Sequence, residues 1–197
     1  MCGLPYPAFR AGTVGAARRA WEGSQLVSPS RLATDPELTV RAIRATDKAA
    51  LLDLFERLSP RSRLRRFLAP KPSLSRRELA YLTEIDHRAH EALVAVAPDG
   101  AFVGVARYAC EIGDTTVADV AFAVADAWQG RGVGIGLAGL LLERARENGI
   151  VRLQATTLAD NGPARKLLGR LGFGVHGIAD GVLDVALDLT AAERRAA

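Results

Sequence analysis

The sequence predicts an α/β domain built on a mixed sheet of about seven strands. Segments with strand and helix patterns alternate from Leu38 onward, which is typical of helices packed against a sheet. Two apolar segments flank the turn residues 98–100 and predict an antiparallel hairpin. A strand, a glycine-rich loop, a helix and another strand fill residues 115–157, and this order predicts a right-handed crossover between two parallel strands.

The first half of the domain contains three predicted strands and two predicted helices. In chain order they are a strand at 38–43, a helix at 46–58, a helix that begins at Ser75, and strands at 92–97 and 102–111. Apolar residues recur at helical spacing in the first helix, with Thr46 or Asp47 as its cap and Pro60 beyond its end. Ser75 and Glu78 form a possible capping box for the second helix.

The second half continues the alternation. Its predicted elements are a strand at 115–126, a helix at 134–148, a strand at 151–157, a helix that starts within 160–163, and strands at 173–178 and 182–189. Gly149 and Gly172 follow the two helices directly, and glycine at that position is typical of a helix end. We therefore expect four helices and seven strands in a single domain.

Composition sets the domain boundaries. The 197 residues suffice for one domain. Residues 1–36 are rich in Gly, Ala, Pro, Ser and Arg without periodicity, so we expect a flexible N-terminal extension, a domain over 37–190 and a short tail over 191–197. Arginines interrupt the extension and no apolar core of a secretory signal forms. A transit peptide is a weaker alternative.

Several classes of protein are disfavoured. No uninterrupted apolar segment is long enough for a membrane helix, so we expect no membrane partner. The cysteines, Cys2 and Cys110, are too few and too distant for a disulfide framework and are typical of a reducing cytoplasm. His87 and His90 lack a third ligand at a fixed spacing, and we predict no metal site.

The segment QGRGVG at 129–134 carries the strongest chemical signal. It lies where a strand meets a helix, and a helix N-terminus offers unpaired N–H groups and a partial positive charge. Glycines there let the backbone approach an anion closely, so Gly130, Gly132 and Gly134 with Arg131 predict an anion cradle. The segment matches neither the P-loop nor the dinucleotide-binding pattern. The alternative is a turn that only allows close helix packing.

A second motif gives this loop a context. Gln129, Gly132 and Gly134 match the pattern QxxGxG. Residues that match NxxAxxLxxxxGF follow at Asn161, Ala164, Leu167, Gly172 and Phe173. The two motifs, in this order, resemble the acetyl-coenzyme A (acetyl-CoA) site of the GNAT superfamily of N-acetyltransferases. The resemblance covers residues 38–189 and implies a mixed, mostly antiparallel sheet of about seven strands, with a central parallel pair splayed at the cofactor site and about four helices.

The N-terminal half resembles a particular branch of that superfamily. Residues 43–68, 78–96 and 117–122 are similar to the acetyltransferase domain of bacterial protein-lysine acetyltransferases of the Pat type. In that group the domain is often fused to a cyclic-nucleotide-binding or an acyl-CoA-synthetase-like domain. This chain has no room for either, so we expect the catalytic domain by itself.

The resemblance assigns a set of residues to acetyl-CoA. They are Phe122, Ala123, Val124, Gln129, Gly130, Arg131, Gly132, Val133, Gly134 and Asn161. The amides of 130–134 would hold the pyrophosphate, while the pantetheine arm would pair with 122–124, where an N–H group could stabilise the charge that develops on the thioester oxygen. Asn161 would contact the pantetheine, although it is equally suited to a plain helix N-cap.

One carboxylate is the candidate catalytic residue. An attacking amine must lose a proton first, since a lysine ammonium has a pKa of about 10.4. Asp119, between apolar strand residues, lies where Pat-type proteins carry an acidic residue, and we expect it to act as the base through a bridging water. The alternative is a half-exposed strand residue with a cross-strand partner. Many GNAT enzymes place a tyrosine acid where this chain has Leu168.

Charge is unevenly distributed. Residues 57–77 carry eight of the 26 basic residues and no acidic residue. The segment could steer acidic protein surfaces or contact the coenzyme's 3′-phosphate, but we favour a helix-loop-helix rim of solvated arginines. Nucleic acid is an unfavoured partner, since only Phe67 is aromatic in the segment.

These observations predict a cytoplasmic acetyl-CoA dependent N-acetyltransferase, an acyltransferase that acts on a primary amine by direct attack in a ternary complex. A protein lysine is the first expected acceptor. A small-molecule amine, and a binding module that holds acyl-CoA without turnover, are the alternatives. The acceptor's identity, the acyl-chain preference and the oligomeric state stay open.

Overall fold

Eight strands and five α-helices make up the described part of the chain, which in this computed structural model is residues 30–32, 35–111 and 113–190. The strands are β1 (Ser30–Leu32), β2 (Asp35–Ala42), β3 (His90–Val96), β4 (Phe102–Glu111), β5 (Asp114–Val124), β6 (Arg152–Leu158), β7 (Gly174–Ala179) and β8 (Val182–Asp188). The helices are α1 (Lys48–Glu56), α2 (Pro60–Phe67), α3 (Arg76–Thr83), α4 (Val133–Glu147) and α5 (Gly162–Arg170). None of these helices is long and apolar enough to cross a membrane.

The strands form a single mixed sheet in the order β1-β2-β3-β4-β5-β6-β8-β7. Every neighbouring pair is antiparallel except β5 and β6, which are parallel. The predicted class, the hairpin of β3 and β4 and the crossover through α4 are therefore confirmed.

The parallel pair is joined only at one end. Three residue pairs connect the two strands, and the last of them is Asp119 with Gln154. Beyond that point β5 continues to pair with β4 alone, and β6 with β8 alone. The backbones of β5 and β6 therefore diverge, and the edge of each strand that faces the gap lacks a strand neighbour.

Side-chain caps set the helix boundaries as the sequence predicts. The Ser75 hydroxyl accepts a hydrogen bond from the Glu78 amide at 3.2 Å, and the Glu78 carboxylate accepts one from the Ser75 amide at 2.8 Å. The predicted capping box of α3 is thus confirmed. The Asn161 side chain accepts a hydrogen bond from the Ala164 amide and caps α5.

The sequence analysis did not predict two of these elements, helix α2 and strand β1. Helix α2 begins at Pro60, which the sequence interpretation used only to end the preceding helix, and the Ser59 hydroxyl caps it by accepting from the Ser62 amide. Strand β1 pairs with β2, so Ser30–Leu32 belong to the sheet although they fall within the predicted extension of 1–36. The rest of that extension up to residue 29, and the predicted tail of 191–197, lie outside the described residues.

Helices cover both faces of the sheet. One apolar cluster joins α4 and α5 to the sheet and includes the β5 residues Val120, Phe122 and Val124. A second cluster joins α1 and α3 to the opposite face and includes Ala123. Since side chains alternate along a strand, Asp119 lies on the same face as Ala123, away from α4.

Candidate active site

A cleft of about 580 Å³ opens where β5 and β6 separate, a size typical of ligand sites. Its walls come from the ends of both strands, the first turns of α4 and α5, and helix α2. The sequence-predicted coenzyme residues that line it are Phe122, Ala123, Val124, Gln129, Gly130, Gly132, Gly134 and Asn161. The structure therefore brings eight of the ten together.

The glycine loop has a left-handed backbone conformation at two of its residues. Gly130 and Gly132 have φ values of 78° and 87°, a left-handed conformation that costs other residues free energy. Gly132 is the N-cap of α4, and the first helical hydrogen bond runs from the Gly136 amide to the Gly132 carbonyl. The amides of 133–135 consequently have no intrahelical acceptor.

The Gln129 side chain stabilises the loop from within. Its amide nitrogen donates to the Val124 carbonyl at 3.1 Å, to the Asp126 carboxylate at 2.9 Å and to the Ser62 hydroxyl at 3.3 Å. Asp126 also accepts from the Ser59 amide at 3.0 Å and from the Ser62 hydroxyl at 2.5 Å. Gln129 and Asp126 thus join the end of β5 to the start of α2, a connection that the sequence interpretation did not foresee.

The Asp126 carboxyl is kept ionised in this cluster. Partial burial acts to raise its pKa, but hydrogen bonds from Ser59 and Ser62 outweigh that effect and hold the pKa below its usual value. A charged acceptor that binds the N-terminus of α2 also suits the partial positive charge of a helix start. The result is a fixed position for α2 beside the cleft.

Asp119 is the last residue of β5 that pairs with β6, and the two strands diverge immediately after it. Its side chain is exposed. Loss of hydration and the nearby negative charge of Glu111 raise the pKa of the Asp119 carboxyl. The Glu111 carboxylate accepts a hydrogen bond from the side-chain amide nitrogen of Gln154 at 2.8 Å. Asp119 does not line the cleft, but its neighbour Val120 does.

Residues 51–173 match the model of the acetyltransferase (GNAT) family. The chain belongs to the GNAT family. It is an acetyl-CoA dependent N-acetyltransferase.

Relatives place it near the Pat-type members. Acetyltransferase Pat of Mycolicibacterium smegmatis is 41% identical over 97 residues, which are 48% of this chain and 28% of that protein. Acetyltransferase PA5475 of Pseudomonas aeruginosa is 35% identical over 139 residues, or 68% of this chain and 73% of the relative. The crystal structure of the GNAT domain of S. lividans PAT superposes with a TM-score of 0.72 at 32% identity, covering 77% of this chain and 90% of that one.

The loop residues of this GNAT domain fit a diphosphate. A Cβ atom on Gly134 would meet only Leu167 at 3.7 Å and Val124 at 3.8 Å, and one on Gly130 would meet nothing within 4 Å. Packing of the protein alone therefore does not require glycine at Gly134. A side chain there would instead occupy cleft space in front of the free amides, where a phosphate would lie.

Two of the predicted coenzyme residues do not reach the cleft with their side chains. Val133 is buried in the core with 1% exposure, so only its backbone amide is available to a ligand. The Arg131 guanidinium stacks on Trp128, 4.9 Å from the ring centre, and does not line the cleft. A role for these side chains in coenzyme binding stays a prediction.

Asn161 and Leu168 define the α5 side of the site. Asn161 is buried, and its amide nitrogen donates to the Thr157 hydroxyl at 3.3 Å. This residue acts as the helix N-cap, and its contact with pantetheine stays a prediction. Leu168 is buried in the cleft wall and offers no proton. The Cys110 thiol, whose pKa is raised by burial, is poorly suited to nucleophilic attack.

His87 and His90 both have side-chain partners within the protein. His87 Nδ1 lies 2.7 Å from the carboxylate of Glu91, and His90 Nε2 lies 3.3 Å from the Arg107 guanidinium. Burial, and then the Arg107 charge, lower the pKa of His90 to about 3. Across the described ranges no three His, Cys, Asp or Glu residues are grouped to hold a metal ion.

The basic segment of 57–77 is only partly a solvated rim. Several of its cations have internal partners: Arg57 pairs with Asp53, Lys71 with Glu78, and Arg63 donates to the carbonyls of Glu56, Leu58 and Pro72. Arg65 and Arg66 instead line the cleft. The sequence signal for this, two basic residues six and seven positions after the Ser59 cap, depends on recognising α2 as a helix.

Proposed function

We propose that this enzyme transfers the acetyl group of acetyl-CoA to the side-chain amine of a protein lysine, by direct attack while both substrates are bound. The observation that carries the proposal is the position of Asp119. A carboxylate with a raised pKa stands at the point where the sheet opens, on the face away from the anion cradle. The resemblance of the sequence to Pat-type protein-lysine acetyltransferases supports a protein acceptor.

The chain supplies two backbone sites for the coenzyme. The amides of the glycine loop and of the first turn of α4 would hold the diphosphate. The edge of β5 over 120–124, which has no strand neighbour on the β6 side, would pair with the amide groups of the pantetheine arm. When bound there, the coenzyme supplies an acetyl thioester, and a β5 amide would stabilise negative charge on its oxygen.

Asp119 would remove the proton from the acceptor. A lysine amine is protonated at neutral pH and has no lone pair until the proton leaves. A raised pKa makes a carboxylate a stronger base in its ionised form. Aspartate is short, so we expect a water molecule between Asp119 and the amine. Leu168 cannot donate a proton, so solvent water would protonate the departing thiolate, which is a weak base and leaves readily.

The proposal is tested with cell lysate, the purified enzyme and isotopically labelled acetyl-CoA. Label is expected on lysine side chains in tryptic peptides, and it should depend on active enzyme. An Asp119→Asn sample serves as the inactive control. Label confined to small polyamines or free amino acids would replace the protein acceptor with a small-molecule one. Tight coenzyme binding by calorimetry, without any thiol release, would instead indicate a binding module.

We also propose that the enzyme is cytoplasmic. This location agrees with a donor that is a metabolic thioester. Fractionation of the producing cells, with the enzyme followed by immunoblot, checks it directly.

A further inference from the structure

Helix α2 forms one side of the cleft on the face that Asp119 occupies. It lies against both β5 and β6. Leu58, just before α2, and Arg66 within it also border a small crevice beside Ala123. Since Ala123 and Asp119 share a face of the sheet, α2 and Asp119 flank the same opening. We therefore expect an acceptor bound at Asp119 to extend toward α2.

Arg65 is the cation of α2 that is available to a ligand. Its side chain is half-buried and lines the cleft. Across the described ranges it makes no side-chain hydrogen bond or ion pair. Arg66 also lines the cleft, but its guanidinium stacks on the Phe67 ring at 4.9 Å. A guanidinium that lines an open cleft without a protein partner can bind an anion through charge-assisted hydrogen bonds.

The position of Arg65 is fixed by its own helix. Ser59 and Ser62 bind the Asp126 carboxylate through the contacts described above. Arg65 follows Ser62 by three residues and so lies on the same side of α2, one turn further along. The contacts of Ser59 and Ser62 with Asp126 therefore hold the Arg65 backbone at the cleft, and the Arg65 guanidinium takes no part in them.

The opposite side of the opening is negative. Asp119 and Glu111 belong to it. Asp184 of β8 also lies there, because it is paired with the cleft residue Thr156 and accepts a hydrogen bond from the Thr156 hydroxyl at 2.8 Å. An acceptor therefore meets a carboxylate side, which suits its ammonium group, and a guanidinium side, which suits an anion.

We propose that Arg65 is a specificity-determining residue that selects acceptor lysines flanked by a carboxylate, such as a neighbouring aspartate or glutamate. This inference rests on the proposed function, because it takes lysine as the acceptor. Arg65 is assigned to the acceptor rather than to a coenzyme phosphate for a structural reason. The anion cradle is formed by the glycine loop and α4, whereas Arg65 lies on the helix that faces the Asp119 side.

The test compares three peptides that differ only beside one lysine, with glutamate, glutamine or lysine as neighbours. The wild-type enzyme is expected to favour the glutamate peptide over the glutamine peptide about tenfold in kcat/KM, the effect of one charge-assisted hydrogen bond in a half-exposed site. In Arg65→Ala this ratio falls to about one. In Arg65→Glu the preference is expected to invert toward the lysine-flanked peptide.

Arg61→Ala is the matched control. Arg61 lies on the same helix but is exposed and does not line the cleft, so its loss should leave the peptide ratios unchanged. Calorimetry with acetyl-CoA separates the two sources of an anion. An Arg65→Ala variant that loses coenzyme affinity, with its peptide ratios intact, would show that Arg65 binds a phosphate and would overturn the inference.

The remaining outcomes separate this inference from the proposed function. Equal turnover of all three peptides by the wild type overturns the role of Arg65 and leaves lysine acetylation in place. If no peptide is acetylated, the proposed function fails. Fluorescence anisotropy of labelled peptides on the coenzyme-loaded protein then still measures the charge preference, and binding that ignores the flanking charge would overturn the inference as well.

Discussion

Two carboxylates on neighbouring parts of the sheet have opposite surroundings. Glu91 on β3 is fully buried, and its carboxylate accepts from His87 at 2.7 Å, from Arg144 at 3.3 Å and from the Ala92 amide at 2.9 Å. Asp119 on β5 is exposed, its carboxylate has no hydrogen bond or ion pair among the described residues, and Glu111 beside it is negative. The first carboxylate is held by three hydrogen-bond donors, whereas the second is left available.

The difference follows from where each strand has neighbours. β3 lies between β2 and β4 and under α4, so a charge there must be paired to be tolerated. β5 loses its β6 neighbour just after Asp119, which admits water and substrate. A partnered buried carboxylate stabilises the fold, and an unpartnered one at an opening can exchange a proton. Each prediction below tests one side of this contrast.

The largest expected effect is on turnover in Asp119→Asn. The amide cannot accept the proton of the acceptor amine, so we expect kcat to fall by about 10² to 10⁴. The raised pKa means that ionisation of Asp119 is less favourable in the folded than in the unfolded chain. Its charge therefore lowers stability at neutral pH, and the variant should melt at the same temperature or slightly higher.

The pH profile provides a second measurement. Because only the carboxylate can act as base, wild-type kcat/KM should rise as pH increases through the pKa of Asp119, which lies above the ordinary aspartate value. Asp99→Asn, in the exposed hairpin turn, is the matched control and should retain full activity. Wild-type turnover in Asp119→Asn would remove this residue from the mechanism.

The next effect is on stability, in Glu91→Gln. Loss of the buried charge leaves His87 and Arg144 facing an amide, and breaking a buried ion pair typically costs 3–5 kcal/mol. Arg144 retains Glu147 as a partner at 2.8 Å, so we expect the free energy of unfolding to fall by about 3 kcal/mol. Urea unfolding measures it, and coenzyme affinity of the folded protein should be unchanged. An active-site role for Glu91 would appear as lost turnover without lost stability.

The sequence predicted the catalytic half of the molecule better than the supporting half. β5, the glycine loop and α4 were predicted because apolar periodicity and glycine positions are local signals. Helix α2 was missed because its segment PRSRLRRF has few apolar residues, although the Ser59–Pro60 pair is a helix-start signal.

Long-range partners left no local signal. Gln129 matched a motif, but its contact with Ser62 spans 67 positions along the chain, and Glu91 meets Arg144 across 53. Such pairs depend on how helices dock on the sheet, which periodicity does not specify. For the same reason the sequence does not distinguish Asp119 from Glu91. A carboxylate between apolar strand residues has the same sequence pattern whether or not the fold gives it a partner.

A smaller effect on stability is expected when acid protonates His90, a half-buried side chain next to Glu91 in β3. Its pKa falls from the ordinary 6.5 to about 3 in the folded protein, so the unfolded chain binds a proton more readily between these values. Stability is therefore retained above about pH 6.5 and lost as pH falls toward 3. Between pH 7 and pH 5 the wild type should lose about 1–2 kcal/mol more than His90→Gln, or a few degrees in Tm. Parallel melting curves at the two pH values would contradict this.

The smallest effect on stability is expected in Gly134→Ala. This variant asks whether an uncharged residue serves the fold, as Glu91 does, or the ligand, as we propose for Asp119. The added Cβ meets Leu167 and Val124 at ordinary contact distances, and alanine is favoured over glycine in a helix by about 0.5–1 kcal/mol, so Tm should stay equal or rise slightly. Coenzyme affinity should nevertheless fall, by about fivefold or roughly 1 kcal/mol, because the methyl group occupies space in front of the α4 amides. Calorimetry with acetyl-CoA measures this, and Gly139→Ala, an interior α4 position where a Cβ meets nothing within 4 Å, is the control. Unchanged affinity in Gly134→Ala would mean that the anion binds elsewhere. A variant that is more stable but binds the coenzyme more weakly would show that glycine at this position serves ligand binding and not the stability of the fold.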